Sequence, residues 1–114
     1  MAQAERINKE MVANNLEPHF LTHPGEVIKE ELEFRGISQR RLASEIGIPV
    51  SQLNEVLNAK RSLNAEMALL IEQALGIDAE PLLSLQVKYN ILSAKRNKSF
   101  FERLKKIPRI AAAL

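Results

Sequence analysis

Residues 38–61 of the 114-residue chain read SQRRLASEIGIPVSQLNEVLNAKR and predict two short helices joined by a tight turn. Apolar residues recur at helical spacing in each half. They are Leu42, Ala43 and Ile46 in the first, and Leu53, Val56 and Leu57 in the second. Gly47 tolerates the positive φ at which many helices end, and Pro49 fixes a φ that suits the start of the next helix. This pattern is typical of a helix-turn-helix, whose second helix turns its polar face outward.

The composition of the whole chain favours an all-α fold. Apolar residues make up 46% of the sequence and aromatic residues only 4%, and no stretch alternates apolar and polar residues over the length of a strand. The chain has no cysteine, which excludes disulfides and thiolate chemistry. No apolar run approaches the ~18 residues of a membrane helix, and no signal-peptide pattern opens the sequence. We therefore expect a cytoplasmic protein with no membrane partner.

Charge is distributed unevenly along the chain. The net charge is +2, but residues 88–114 contain eight Lys or Arg and one acid, whereas residues 1–87 contain eight basic and 13 acidic residues. A body that is acidic as a whole does not attract DNA in bulk. DNA binding then requires either a local cluster of basic groups or help from the basic tail.

The sequence divides into three parts. Residues 1–21 predict an N-terminal arm or a short helix, and residues 22–92 a helical domain for DNA binding and dimerisation. The first helix of that domain runs from Pro24 to about Arg35, and Asp78 caps the helix over residues 79–92. His19 and His23 lie four apart, but Pro24 and the missing further ligands argue against a metal site.

The start of the first motif helix is suited to a phosphate. Ser38 predicts the N-cap, and Arg40 and Arg41 lie in the first turn beside free backbone N–H groups. The alternative is that these side chains form an ordinary solvated face.

The helix over residues 79–92 has apolar residues on two opposite sides. Such a helix is buried on both sides. It either lies fully buried at the centre of the domain or uses one face in a dimer. The predicted dimer residues are Leu82, Leu83, Leu85, Val87 and Tyr89.

Residues 93–114 predict a basic amphipathic helical extension. Ser99 and Glu102 have the spacing of a capping box. An apolar stripe begins at Phe100 and Phe101, and Pro108 ends the helix. This segment is suited to docking on a protein, on nucleic acid or on a membrane surface, and the alternative is that its Phe pair packs back on the domain.

Three blocks in order resemble HigA-type (VapI-like) antitoxins of the wider XRE/Cro–repressor helix-turn-helix group. They are HPGEVIKEEL at 23–32, GISQ at 36–39 and NEVLNAKR at 54–61. The resemblance covers about residues 22–92 and implies a five-helix lambda-repressor-like domain. It also implies an antitoxin that neutralises a co-encoded HigB-type mRNA-cleaving toxin and that represses its own operon as a homodimer on a double-stranded operator.

The resemblance also implies which residues contact the operator. Val50, Ser51, Gln52 and Glu55 face the bases, and Gln39, Asn58, Lys60 and Arg61 join Arg40 and Arg41 on the phosphates. Gln pairs with adenine, Val50 suits a thymine methyl group, and Glu55 either accepts from cytosine or disfavours other sequences. The chain departs from the family at Ala59, where Gly is usual, and at residues 80–85, where aromatic residues are usual. A left-handed helix end at Ala59 costs about 1–2 kcal/mol, unless the turn differs.

Two other functions fit the same residues. One is a toxin-free XRE-type transcriptional regulator, and the other is a protein-interaction module without DNA binding, which the acidic body favours. An enzyme does not fit, because the sequence offers no recognisable nucleophile, no Gly-rich phosphate loop and no cofactor site.

Overall fold

The computed structural model describes residues 22–111, which form six α-helices and no strands. The helices are α1 (Pro24–Arg35), α2 (Gln39–Ile46), α3 (Val50–Leu57), α4 (Ala65–Leu75), α5 (Ala79–Arg96) and α6 (Lys98–Lys105). Thr22–Asn90 is one compact unit that contains α1 to α4 and the first three turns of α5, and residues 91–111 belong to a second unit. The all-α fold is confirmed, whereas the predicted arm over residues 1–21 lies outside the described residues.

Helix ends in the compact unit follow local sequence signals. The Ser38 hydroxyl accepts a hydrogen bond from the Arg41 amide at 3.0 Å and caps α2. Asn64 Oδ1 caps α4 by accepting from the Met67 amide at 2.8 Å. Gly47 ends α2 with φ +74°, the left-handed conformation that glycine adopts without steric cost. The two short helices of the motif therefore begin and end where the sequence predicts.

Two predicted helix ends were wrong, although the fifth helix begins at Ala79, where the sequence predicts. The fifth helix continues to Arg96 and does not stop near residue 92. Its first amide, that of Ala79, donates to Glu72 Oε2 at 2.9 Å, a partner in α4 that local sequence signals do not indicate. The helix α6 begins after Asn97, whose Oδ1 accepts from the Phe100 amide at 3.0 Å. Ser99 lies inside that helix, because Asn97 supplies an equally good cap two residues earlier.

The core lies where α1 to α4 and the start of α5 meet. Leu53 and Val56 of α3 are fully buried. One side of this helix is therefore anchored in the core, while its opposite side is exposed. Burying a side chain of this size contributes roughly 1.5–3 kcal/mol. The buried apolar residues are Ile28, Leu32, Leu42, Ala43, Leu53, Val56, Leu57, Leu63, Met67, Ala68, Ile71, Leu75, Ala79 and Leu82.

The two sides of α5 have different environments. Leu82 is only 2% exposed and belongs to the core, so it has no surface to offer to a second copy. The Tyr89 ring meets the His23 ring edge-on at 4.8 Å inside the same chain. Val87, in contrast, is 55% exposed. Leu82 is therefore not available for the predicted dimer surface, and Tyr89 already has a partner within the chain. Of the other predicted dimer residues, Leu83 is partly buried against the core, and Leu85 and Val87 remain. Because more than half of Val87 is exposed, α5 is not a fully buried central helix.

The helix α6 is amphipathic and basic in the second unit. Phe100, Phe101 and Leu104 are each between one third and one half exposed. Lys105 Nζ lies 3.1 Å from the Glu102 carboxylate and 5.3 Å from the centre of the Phe101 ring. Across residues 22–111, no helix is both long enough and apolar enough to cross a bilayer.

Candidate nucleic-acid interface

A side-chain hydrogen bond joins the two helices of the motif on their outer side. Asn54 Nδ2 of α3 donates to Gln39 Oε1 at the start of α2, at 2.9 Å. This bond leaves the Gln39 amide nitrogen as its remaining donor group, which is the atom that a phosphate oxygen requires. Both helices pack on the same core, and this bond joins them on their exposed side. Together these contacts fix the orientation of α2 relative to α3.

The residues predicted to contact bases lie along the outer side of α3. Val50 is 41% exposed at the first turn, Ser51 is exposed, and Gln52 and Glu55 are half-buried. Their side chains offer a methyl surface, a hydroxyl, an amide and a carboxylate within two turns. An α-helix fits the major groove, where such groups distinguish all four base pairs.

Basic residues lie at the start of α2 and just beyond α3. Arg40 and Arg41 are exposed in the first turn of α2, and Lys60 and Arg61 are exposed in the segment between α3 and α4. Side chains at these points flank the outer face of α3. Phosphate contacts of this kind set the register of a protein on the duplex and carry no sequence information.

The end of α3 is a Schellman motif built on an alanine. The Lys60 amide donates to the Glu55 carbonyl at 2.8 Å, and the Ala59 amide donates to the Val56 carbonyl at 3.1 Å. Ala59 has φ +61° and is the one non-glycine residue with positive φ among the described residues. Of the two alternatives for Ala59, the structure therefore shows the left-handed end.

An ion pair links a predicted base contact to a predicted phosphate contact. Arg61 Nε lies 2.8 Å from Glu55 Oε1, with about half of each side chain exposed. Asn58 also has a partner, because Lys29 Nζ donates to its Oδ1 at 3.2 Å. The sequence did not indicate these pairs, since Glu55 and Arg61 are six residues apart and only the reversal of the chain at Ala59 brings them together.

His23 makes structural contacts at the start of α1. Its Nδ1 accepts the Gly25 amide at 2.9 Å, and its own amide donates to the Glu26 carboxylate at 3.4 Å, which completes a capping box for α1. Desolvation lowers the pKa of His23, although Glu26 and the main chain of Arg61 act in the opposite direction. The residues from 22 to 111 contain no group of three or more His, Cys, Asp and Glu side chains that suits a metal ion. His19 lies outside the described residues.

The geometry defines the chain as a helix-turn-helix protein, and comparison with known proteins identifies its family. Residues 28–82 match the helix-turn-helix family profile. Virulence-associated protein I of Dichelobacter nodosus is 34% identical over 77 residues, which cover 67% of this chain and 71% of that protein. An addiction module antidote protein of the HigA family from Coxiella burnetii is 34% identical, with a TM-score of 0.69, over 79% of this chain and 98% of that one. The chain belongs to the HigA family of helix-turn-helix antidote proteins.

A more distant solved structure has the same fold. The Pseudomonas aeruginosa antitoxin HigA, solved with the higBA promoter, has a TM-score of 0.72 and 22% identity, over 81% of this chain and all of that one. At this identity the likeness concerns the fold alone.

Proposed function

We propose that this chain is a sequence-specific DNA-binding antitoxin, which neutralises a co-encoded HigB-type mRNA-cleaving toxin and represses its own operon as a dimer. The observation that carries the DNA-binding half is the outer surface of the motif. Polar residues of α3 lie between two exposed basic pairs, one in the first turn of α2 and one just after α3. Membership of the antidote family supports the toxin half.

Two substitutions separate base contacts from phosphate contacts. Binding of the DNA upstream of the gene is measured by fluorescence anisotropy between 50 and 200 mM salt. The Arg61→Ala variant is expected to weaken binding to all sequences alike and to lower the salt slope by about one. The Gln52→Ala variant is expected to change the preference among operator sequences by about 1–3 kcal/mol per affected base pair. Absence of binding at the lowest salt rejects the DNA-binding half.

Dimerisation through α5 gives each motif a partner. Two motifs related by a two-fold axis fit successive major grooves about 34 Å apart. The surface that we assign to the second copy is Leu83 and Val87, which lie one turn apart on the same side of α5, whereas Leu85 lies on roughly the opposite side of the helix. Sedimentation at micromolar concentration tests it, and Val87→Glu is expected to give a monomer. Leu69→Glu is the matched control, because Leu69 is an equally exposed apolar residue on α4, with 56% against 55% exposure. A dimeric Val87→Glu protein rejects this surface.

The toxin half is tested with the product of the adjacent gene. We expect a small basic protein that arrests growth when expressed alone and that binds this chain tightly by calorimetry. The Arg61→Ala variant is expected to restore growth as well as the unaltered chain does, because its predicted contact is with DNA only. If no such gene lies next to this one, the toxin-free regulator is the better assignment.

One observation favours the protein-interaction module as the second candidate. Glu26, Glu30 and Glu33 of α1 line a groove that also includes Asn58 and Ala59, next to the predicted phosphate contacts. Carboxylates repel phosphate and attract basic partners. Tight binding of the neighbouring gene product together with no DNA binding at low salt establishes this candidate instead.

A further inference from the structure

The segment that carries Lys60 and Arg61 is held by two buried polar side chains from other parts of the fold. We call residues 58–64, which join α3 to α4, the phosphate loop. Such a segment is expected to be mobile when only its own residues hold it. Here two of its main-chain groups have partners outside it, in α5 and at the start of α1.

His23 is the first of these partners. It is 1% exposed, and its Nδ1 accepts the Gly25 amide at 2.9 Å, so the remaining hydrogen of a neutral ring is on Nε2. The main chain of Arg61 acts on the ring in the sense that raises the His23 pKa, against the lowering by desolvation. Since only a carbonyl acceptor has this effect, we infer that Nε2–H faces the Arg61 carbonyl. The edge-on contact with Tyr89 fixes the plane of the ring.

Gln86 is the second partner. It is 4% exposed, and it and His23 are the two buried polar residues of the described chain. Its Oε1 accepts the Leu63 amide at 2.7 Å, and its Nε2 donates to Asn90 Oδ1 at 2.9 Å. Asn90 therefore fixes which end of the Gln86 amide faces the loop.

We propose that His23 and Gln86 form a clamp that positions the phosphate loop for DNA. They are positioning residues, because they act through the main chain at Arg61 and Leu63 and do not themselves meet the duplex. This inference rests on the proposed DNA binding. In the free protein the Arg61 side chain is paired with Glu55 at 2.8 Å. To bind a DNA phosphate, the Arg61 guanidinium must separate from the Glu55 carboxylate. A fixed main chain at Arg61 keeps the guanidinium close to the phosphate during this exchange.

The clamp also connects the loop to α5. Gln86 and Tyr89 lie on one side of that helix, and Val87 of the surface assigned to the second copy lies on another. A rigid link between loop and dimer helix fixes the distance between the two copies of Lys60 and Arg61. Because an operator sets that distance, the clamp acts on affinity for whole operators and not on the choice of individual bases.

The test uses a substitution that retains the cap and removes the clamp. In His23→Asn the Asn oxygen can accept the Gly25 amide, since Asn is a favoured N-cap residue, but the shorter side chain does not reach Arg61. We expect affinity for the upstream DNA to fall by about tenfold, equally for all operator sequences, with little change in helix content. Gln73→Asn, at an exposed Gln of α4, is the control with unchanged affinity.

A double-mutant cycle distinguishes positioning from general destabilisation. If His23 acts through Arg61, the variant His23→Asn/Arg61→Ala binds within about twofold of Arg61→Ala alone. If the two losses multiply, or if His23→Asn binds DNA like the unaltered chain, the inference is wrong. If the unaltered chain binds no DNA, the proposed function fails and the clamp with it, so the two failures are distinguishable.

Gln86 supplies an independent check. Gln86→Met has a similar shape but no acceptor for the Leu63 amide, so we expect faster hydrogen exchange at Leu63 and a loss of DNA affinity of about five- to tenfold. Gln73→Met, at an exposed Gln of α4, is the matched control and leaves both unchanged. Unaltered exchange at Leu63 in Gln86→Met overturns the role of Gln86.

Discussion

The two ends of α3 are held in different ways. At its N-terminal end, Gly47 and Pro49 set the turn from α2 by their own backbone preferences. At its C-terminal end, the chain reverses at an alanine with φ +61°. The buried Gln86 accepts a hydrogen bond from the segment that follows, and we assign the buried His23 to the main chain of Arg61. The first end is determined locally, whereas the second depends on contacts with α1 and α5. Substitutions at the second end therefore test the tertiary structure and the DNA surface together.

The largest expected effect is at Gly25, where α1 packs against the C-terminal end of α3. A Cβ at this position would overlap the Val56 carbonyl oxygen and would lie 2.8 Å from its carbon and 2.9 Å from Leu57 Cα. Backbone atoms cannot rotate away, so we expect Gly25→Ala to lower the free energy of unfolding by about 3 kcal/mol, the upper end of the usual cost of overpacking. Urea unfolding measures it.

The control for this substitution is Gly36→Ala at the other end of α1. A Cβ there has open space around it, and the only cost is its φ of +67°, which is about 1–2 kcal/mol for alanine. Equal losses at both glycines would mean that backbone conformation, and not the close approach to α3, limits residue 25.

The two ends of α3 also show which features of the fold can be predicted from the sequence. The order of the helices, the Ser38 cap and the left-handed Gly47 follow from local signals, and all were predicted. Gln86 was not, although it lies four residues after Leu82 and on the same side of α5. A polar residue in an apolar face indicates either exposure or a specific buried partner, and the Leu63 amide becomes that partner only after the chain has folded.

The surface was predicted less completely than the fold for the same reason. The exposed positions of Arg40, Arg41, Lys60 and Ser51 agree with their predicted roles, which remain predictions. The sequence pattern on α5 was two-sided, but it did not reveal which side the domain itself covers. The packing of Leu82 and the contact of Tyr89 with His23 decide that.

The second prediction concerns pH, because His23 can accept the Gly25 amide at Nδ1 only when its ring is neutral. Its neighbours are the Gly25 amide and Glu26 of α1, the main chain of Arg61 and the Tyr89 ring of α5. Desolvation lowers the native pKa below the ordinary value of 6.5, so the unfolded chain takes up a proton before the native chain does. Stability is therefore full above pH 6.5 and falls as pH decreases from there to the native pKa, by at most about 1.4 kcal/mol per pH unit.

Urea unfolding at pH 7.5, 6.5 and 5.5 measures this dependence. The His23→Asn variant lacks the titrating group and is the reference, so the informative quantity is the difference between the two proteins. We expect the unaltered chain to lose stability relative to this variant as pH falls. A constant difference across the range would show that His23 titrates alike in both states.

The third prediction concerns the strained end of α3. Ala59→Gly removes the cost of a left-handed alanine, about 1–2 kcal/mol, but glycine loses more conformational entropy on folding, roughly 0.5–1 kcal/mol. We expect a net gain of about 0.5–1 kcal/mol in the free energy of unfolding, seen as a higher urea midpoint with an unchanged slope. Ala65→Gly, at the first residue of α4, is the control and is expected to destabilise. A loss of stability in Ala59→Gly would contradict the assigned strain.

The smallest expected effect on stability is at the Glu55–Arg61 ion pair. Both side chains are about half exposed, and exposed pairs contribute roughly 0–1 kcal/mol. We therefore expect Glu55→Gln to change the free energy of unfolding by only about a few tenths of a kcal/mol.

The effect of Glu55→Gln on DNA affinity is expected to be larger than its effect on stability. Without the carboxylate, Arg61 no longer has to leave a partner before it binds a phosphate, and one negative charge near the duplex disappears. We expect tighter binding to all sequences at low salt, measured by anisotropy, together with weaker discrimination among operators if Glu55 contacts a base. Glu45→Gln, at an exposed residue of α2, is the charge-matched control. Equal gains in both variants would show that net charge, and not release of Arg61, causes the change.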